Sequence, residues 1–445
     1  MRKMGGGDSH CRITAVALLV LALGGCSYVA PRPVPSPAPT VALVPLPAYV
    51  RQFGSAYWDR ANGVAVDRAG NIVVAGATLG ALPGNTQTGG AYDAFVRKLS
   101  PEGIELWTRQ FGSSAADGAL AVGVNGTGNI IVAGHTEATL PGQTSAGGED
   151  AFVRKLSPEG AELWMRQFGS PNSDAATGVA VDGAGDIILA GNMDGPRIGQ
   201  LGNQDAFVWK LSPEGIELWM RQFGSSAWDR VTGVAVDKAG NIFVVGDTYG
   251  ALPGQTPAGG RDAFVEKLSP EGTELWRRQF GSSASDGALA VAVDGAGNIF
   301  VAGDTEGTLP GQTPAGGRDA FVEKLSPEGI DLWRCQFGSS ASDGALAVAA
   351  DRAGNIFVAG HTEGTLQGQT LAGDDDAFVR KLSPEGIELW TQQFGSSASD
   401  LAIGVTVDGA GNVIVVGATS GTLPGQTPAG GKDAFVTRLK QPAPP

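Results

Sequence analysis

The letters QFG begin at Gln52, Gln110, Gln167, Gln222, Gln279, Gln336 and Gln393, with successive spacings of 58, 57, 55, 57, 57 and 57 residues. A unit of this length written seven times demands an architecture of equivalent parts, a propeller or a solenoid. Strand patterning inside the unit narrows the choice. In the fifth copy, "ALAVAVD" alternates Leu289, Val291 and Val293 with small alanines, the period-two pattern of a strand. "DGAGN" is a tight turn, and "IFVAG" returns as a second strand. "DAFVEKL" is a third, "SPEG" turns the chain, and "IDLWRCQF" is a fourth. Four antiparallel strands per unit make a propeller blade.

The ends of the repeat region argue for closure. It opens on "YVRQFG", a fourth strand with Tyr49 in the usual Trp position, and finishes on "DAFVTRLK", a third strand. A spare strand at one end and a missing one at the other fit a ring in which the first strand completes the last blade and removes a sheet edge. The expected fold is therefore all-β: a closed seven-bladed β-propeller over residues 49–440. The 69 glycines among 445 residues suit its many turns.

"GVAVDRAGNIVVAGAT" from Gly63, "AVAVDGAGNIFVAGDT" from Ala290 and "DAFVRKLSPEG" from Asp376 resemble the SBBP repeat, a family of bacterial β-propeller repeats. The resemblance runs from Tyr49 to Lys440 and is weakest in the unit opened by Gln167. It implies a seven-bladed propeller in exported proteins, with no established activity, substrate or cofactor.

Upstream, Arg2, Lys3 and Arg12 precede an eleven-residue apolar run, "ITAVALLVLAL". At about 1.5 Å per residue it is too short to cross a bilayer core of about 30 Å, so it reads as a signal-peptide core. "LGGCS" after it resembles the bacterial lipobox, which makes residues 1–25 a lipoprotein signal and Cys26 the lipid-bearing residue. Ser27 at the next position suggests outer-membrane sorting in a diderm host. Residues 26–48 form a lipidated, proline-rich stalk, and residues 441–445 a proline-rich tail. The expected location is outside the cytoplasm, anchored to a membrane through the N-terminal lipid.

A net charge of −14 with no basic stripe excludes nucleic acid as a partner. Of three cysteines, only Cys335 falls in the repeats, so no disulfide framework is available. "DGAGN" lacks the alternating oxygen ligands of a calcium loop and reads as a turn. Trp107, Trp164, Trp219, Trp276, Trp333 and Trp390 each share a strand face with a Phe four residues on and read as packing. His135 and His361 stand three blades apart one way and four the other, too far to share zinc, and are expected at the surface. No cofactor or metal is expected.

Two sets of residues are candidates for a binding face. One is the aspartate after each "QFGS": Asp59, Asp117, Asp174, Asp229, Asp286, Asp343 and Asp400. Each lies in the connection between blades, on the same rim as the long loop between second and third strands. They cap those connections or, alternatively, form a carboxylate ring for cations or a basic partner. The other set breaks the repeat: Tyr57 and Trp58 in "SAYWD", and Trp228 in "SAWD". Aromatic side chains in polar loops can anchor a protein or a sugar. With no catalytic triad, phosphate loop or metal-spaced ligand set, the expectation is a monomeric, non-catalytic scaffold binding envelope protein or polysaccharide. The alternatives are a purely structural surface protein, or a polysaccharide hydrolase or lyase using acidic residues of the loop face.

Overall fold

The computed structural model describes residues 47–195 and 204–439. The signal segment, Cys26, the stalk up to residue 46 and the tail from residue 440 lie outside the described residues. Among the described residues, 28 strands form seven four-stranded antiparallel sheets, the blades of a closed β-propeller. Blade 1 comprises Asp59–Val66, Ile72–Thr78, Asp93–Leu99 and Glu105–Phe111, ordered from the axis outward. Blades 2 to 6 repeat it, with innermost strands opening at Asp117, Asp174, Asp229, Asp286 and Asp343. Blade 7 supplies Asp400–Val407, Val413–Thr419 and Asp433–Leu439, and its outer strand is Pro47–Phe53.

The closing strand pairs antiparallel with Asp433–Leu439, from Pro47 opposite Leu439 to Phe53 opposite Ala434. It starts two residues before the expected Tyr49. Proline is tolerated there because it opens an edge strand and owes no ladder hydrogen bond. The Gln52 amide nitrogen donates to Asp433 Oδ2 at 2.7 Å and to the Gly421 carbonyl at 2.9 Å, while its oxygen accepts from Leu423 N at 2.9 Å. The same glutamine recurs in the other units: Gln279 bonds Asp262, Gly250 and Leu252. "QFG" is therefore a lock between the outer strand and the long loop of its own blade.

Packing between blades uses the aromatic repeat. The outer-strand Phe of each blade meets a third-strand Phe of the next edge to face, as in Phe53–Phe95 at 6.0 Å and Phe111–Phe152 at 5.7 Å. In blades 1 to 5 the outer-strand Trp donates its indole N–H to a carbonyl of the next blade's "SPEG" turn, as Trp107 does to Pro158 at 3.2 Å. In the equivalent "DRAGN" turn of blade 1, Asp67 Oδ1 accepts from Ala69 N and Asn71 N, both at 2.9 Å, and Gly70 takes φ of +83°. These turns and the "SPEG" turns share one face, while the long loops and interblade connections share the other.

The alternation expected in the innermost strand breaks at one residue. Every innermost strand bulges at its fourth position, between Ala288 and Ala290 in blade 5. The bulge sets two residues against one on the neighbouring strand and turns the extra residue out of the ladder. Leu289 consequently points into the central channel rather than stacking with Val291 and Val293. The equivalent residues, from Asn62 in blade 1 to Ile403 in blade 7, line the same channel of about 360 Å³.

Candidate functional site

The seven aspartates are not surface groups. Each is at most 1% exposed. Asp286 Oδ2 accepts from the Ser282 amide at 2.6 Å and its hydroxyl at 3.0 Å, and Asp59 does the same with Ser55 at 2.7 and 3.0 Å. Asp117, Asp174, Asp229, Asp343 and Asp400 repeat this bond to the serine four residues earlier. The connection must leave one sheet and enter the next, and its buried amide has no strand partner there. The aspartate supplies that partner, so the carboxylate ring caps the connections from inside and presents no charge to a ligand.

Burial pushes the pKa of all seven upward, and that of Asp174 to about 6. Burial likewise lifts Glu266 and Glu323 to about 7, against the pull of Arg277 and Arg334. An acid with a raised folded-state pKa stabilises the fold below its unfolded value of about 4, and this contribution is lost as pH rises through the folded value. Asp67 and Asp408 run the opposite way. Burial opposes the shift, but turn hydrogen bonds and the cations Lys98 and Arg438 hold them low, so they weaken the fold only under more acidic conditions. The thermal midpoint is therefore expected to rise as pH falls from about 8 to about 5, with a smaller rise in a Glu266→Gln, Glu323→Gln variant. A flat midpoint across that window in the native chain would contradict the assignment.

The repeat-breaking aromatics do reach solvent: Tyr57, Trp58 and Trp228 are 59%, 55% and 54% exposed. Their surroundings differ. Trp58 stands at the seam between blades 7 and 1, where its backbone bridges Lys432 and Asp59 N donates to the Lys432 carbonyl at 2.8 Å. Around it lies a notch of about 210 Å³ walled by Trp58, Arg60, Tyr92 and Lys432, with Ala77 and Asp59 beneath. The Lys432 ammonium lies 5.3 Å from the centre of the Trp58 ring. Arg60 also borders the channel mouth. Trp228 instead bridges Gln204, and the neighbouring Arg230 is engaged by Asp247 at 2.9 Å.

Among the described residues, the other cations of this rim are paired with carboxylates. Arg261 reaches Asp304 of the next blade at 3.4 Å, and Arg318 contacts the same carboxylate. The two histidines are half-buried and partnered, His135 with Glu149 at 3.6 Å and His361 with Asp375 at 3.2 Å. Among the described residues, Arg60 and Lys432 have no carboxylate within ion-pair distance. Burial lowers the pKa of both, and the Arg60 charge lowers that of Lys432 further.

Tyr57 and Trp58 mark this seam in the sequence, but Arg60, Ala77, Tyr92 and Lys432 are not singled out by motif or spacing. A signal was present. Across from the residue after each capping aspartate stand Ala77, His135, Asn192, Asp247, Asp304, His361 and Ala418 in turn, and the two alanines flank one seam.

A profile of the SBBP family, described as a beta-propeller repeat, matches residues 218–253 and 275–309. The chain carries SBBP repeats. Each matched SBBP segment begins in an outer strand and ends beyond the second strand of the following blade, so the family's unit straddles the blade boundary as the QFG repeat does. The regulatory protein FlaEY of Caulobacter vibrioides is 24% identical over 322 residues, covering 62% of this chain and 33% of that protein. An uncharacterized WD repeat-containing protein of Acanthamoeba polyphaga mimivirus is 22% identical over 435 residues, covering 72% and 31%. The chain thus spans about a third of the length of the curated relatives it matches. Among solved structures, the WD40 domain of Neurospora crassa Pan2 aligns with a TM-score of 0.49 and 12% identity, covering 89% of this chain and 96% of that one.

Proposed function

We propose that this SBBP propeller is a non-catalytic binding module, held at the cell envelope by a lipid on Cys26, and that it takes an envelope protein or polysaccharide into the notch beside Trp58. One observation carries the reading. Cations elsewhere on this rim are paired, whereas at the seam of blades 7 and 1 an exposed arginine, a half-buried lysine and an exposed indole share a cavity in which neither cation has a carboxylate within ion-pair distance. Uncompensated buried charge is costly to a fold, and a ligand that supplies the missing charge recovers that cost on binding. The name of the FlaEY relative, a regulatory protein, fits a protein that acts by binding.

Affinity capture from host envelope, with the full chain and single variants as bait, tests this. Trp58→Ala is expected to lose at least about 30-fold in recovery, the scale of an interface hot spot worth about 2 kcal/mol. Trp228→Ala, whose surroundings are already neutral, should recover the partner as the native chain does. Equal recovery by native and Trp58→Ala baits would move the site off the notch.

One feature favours an enzyme instead. Tyr92 lines the same notch as Arg60 and Lys432, an arrangement in which a phenol could move a proton next to a cation-held carboxylate. Chain cleavage of an acidic polysaccharide, lost in Tyr92→Phe, would establish that alternative.

A further inference from the structure

The repeat itself indicates what the notch lacks. In blade 4, Arg230 rises from the innermost strand and is held by Asp247, its cross-strand neighbour. At the next seam, Arg261 precedes the third strand of blade 4 and reaches forward to Asp304 of blade 5. Both carboxylates are buried, at 0% and 1% exposure. The seam of blades 7 and 1 keeps both cation positions and deletes the acid. Arg60 stands where Arg230 does, opposite Ala77 instead of an aspartate. Lys432 stands where Arg261 does, and its forward target is again Ala77. Two positive charges therefore converge over a methyl group. The acid beneath them, Asp59, is held by Ser55 at Oδ2 and lies out of solvent.

Resting on the reading of the notch as a binding site, we propose that it binds a carboxylated sugar unit of an acidic polysaccharide. The sugar carboxylate sits between Arg60 and Lys432, in the place that Asp247 and Asp304 fill in blades 4 and 5. The sugar ring packs against Trp58 and Tyr92. Charge-assisted bonds to two cations set the requirement for an anion, and the aromatic walls offer apolar area to the C–H face of a pyranose. An acidic peptide fits less well, because the main-chain groups around the notch are already used. Asp59 N donates to Lys432 O, Lys432 N to Tyr57 O, and Leu79 N to Trp58 O. An extended peptide would find no ladder to join there. Recognition must run through side chains, and a cavity of about 210 Å³ admits one ring with its carboxylate.

Calorimetry with the full chain decides the matter, using as probes an oligogalacturonate, its methyl ester and an acidic peptide of equal charge. The uronate oligomer is expected to bind, its methyl ester at least about tenfold more weakly, and binding should weaken with salt. Ala77→Asp returns the missing carboxylate, so it should lose uronate binding by at least about tenfold while its unfolding midpoint stays level or rises. Arg60→Gln should also lose binding, which keeps the test sound if Ala77→Asp proves unstable. Undiminished binding by a folded Ala77→Asp, or equal binding of the methyl ester, would overturn the proposal. Tighter binding of the peptide would overturn it in favour of a protein ligand. No uronate binding alongside Trp58-dependent capture would sink the ligand class and leave the binding role standing. Capture independent of Trp58 would remove the notch itself.

Discussion

Gly303→Ala is expected to destabilise the propeller by about 3 kcal/mol or more, a large effect for the addition of one methyl group. The methyl would sit 1.9 Å from the carbonyl oxygen of Gly287 in the neighbouring strand. That oxygen lies two residues before the innermost-strand bulge at Leu289, where the register shifts between Ala288 and Ala290. Neither side can yield cheaply, since both atoms belong to backbone in the middle of a sheet. The clash recurs in the other blades, with gaps of 1.7 Å at Gly246 and 2.0 Å at Gly191. Gly409→Ala serves as the control. Its methyl would meet nothing within 4 Å, and other blades carry Arg68, Lys238 and Arg352 at that position. Chemical unfolding of the three proteins should place Gly409→Ala with the native chain and Gly303→Ala far below it. Equal midpoints for all three would show that the bulge relaxes without cost.

Removal of Pro47–Phe53 should open the ring. Phe53 is buried against Phe95, and the Arg97 guanidinium lies 4.0 Å from the centre of its ring. Loss of a buried Phe alone costs about 3–5 kcal/mol, and each hydrogen bond lost with Gln52 about 1 kcal/mol more. Asp433 would keep its backbone donors from Ala429 and Gly430 but lose the amide of Gln52. The edge of Asp433–Leu439 would then lie open to other chains. The shortened protein is expected to give little soluble monomer by size-exclusion chromatography, and a synthetic peptide of residues 47–53 should restore part of it. A monomer with native thermal stability would show that closure contributes nothing.

Strand order and ring closure were legible because each blade repeats its signals: period-two alternation, two turns of fixed chemistry, and the displaced Tyr49 strand. Local rules suffice there, since Gly70 needs positive φ and Asp67 reaches its own turn whatever lies beyond it. The role of the capping aspartates was legible only as one of two options. Recurrence marks Asp286 and its six equivalents as needed by every unit, but it cannot say whether the carboxylate faces in or out. The bulge escaped sequence reading because Leu289 fits the alternating pattern as well as a paired residue would. Its direction is set by the ladder with Ala302 and Gly303.

The sequence by itself determined the all-β class, the number of blades and the way the termini meet, because those follow from local patterning repeated along the chain. Tertiary structure alone decided the notch. Arg60 and Ala77 belong to one end of the chain and Lys432 to the other, and ring closure makes them neighbours. Whether a cation on this rim is neutral or free depends on the residue that closure sets opposite it. Electrostatic pairing acts through space over a few ångströms, and the spacing of residues along a chain carries no record of that distance.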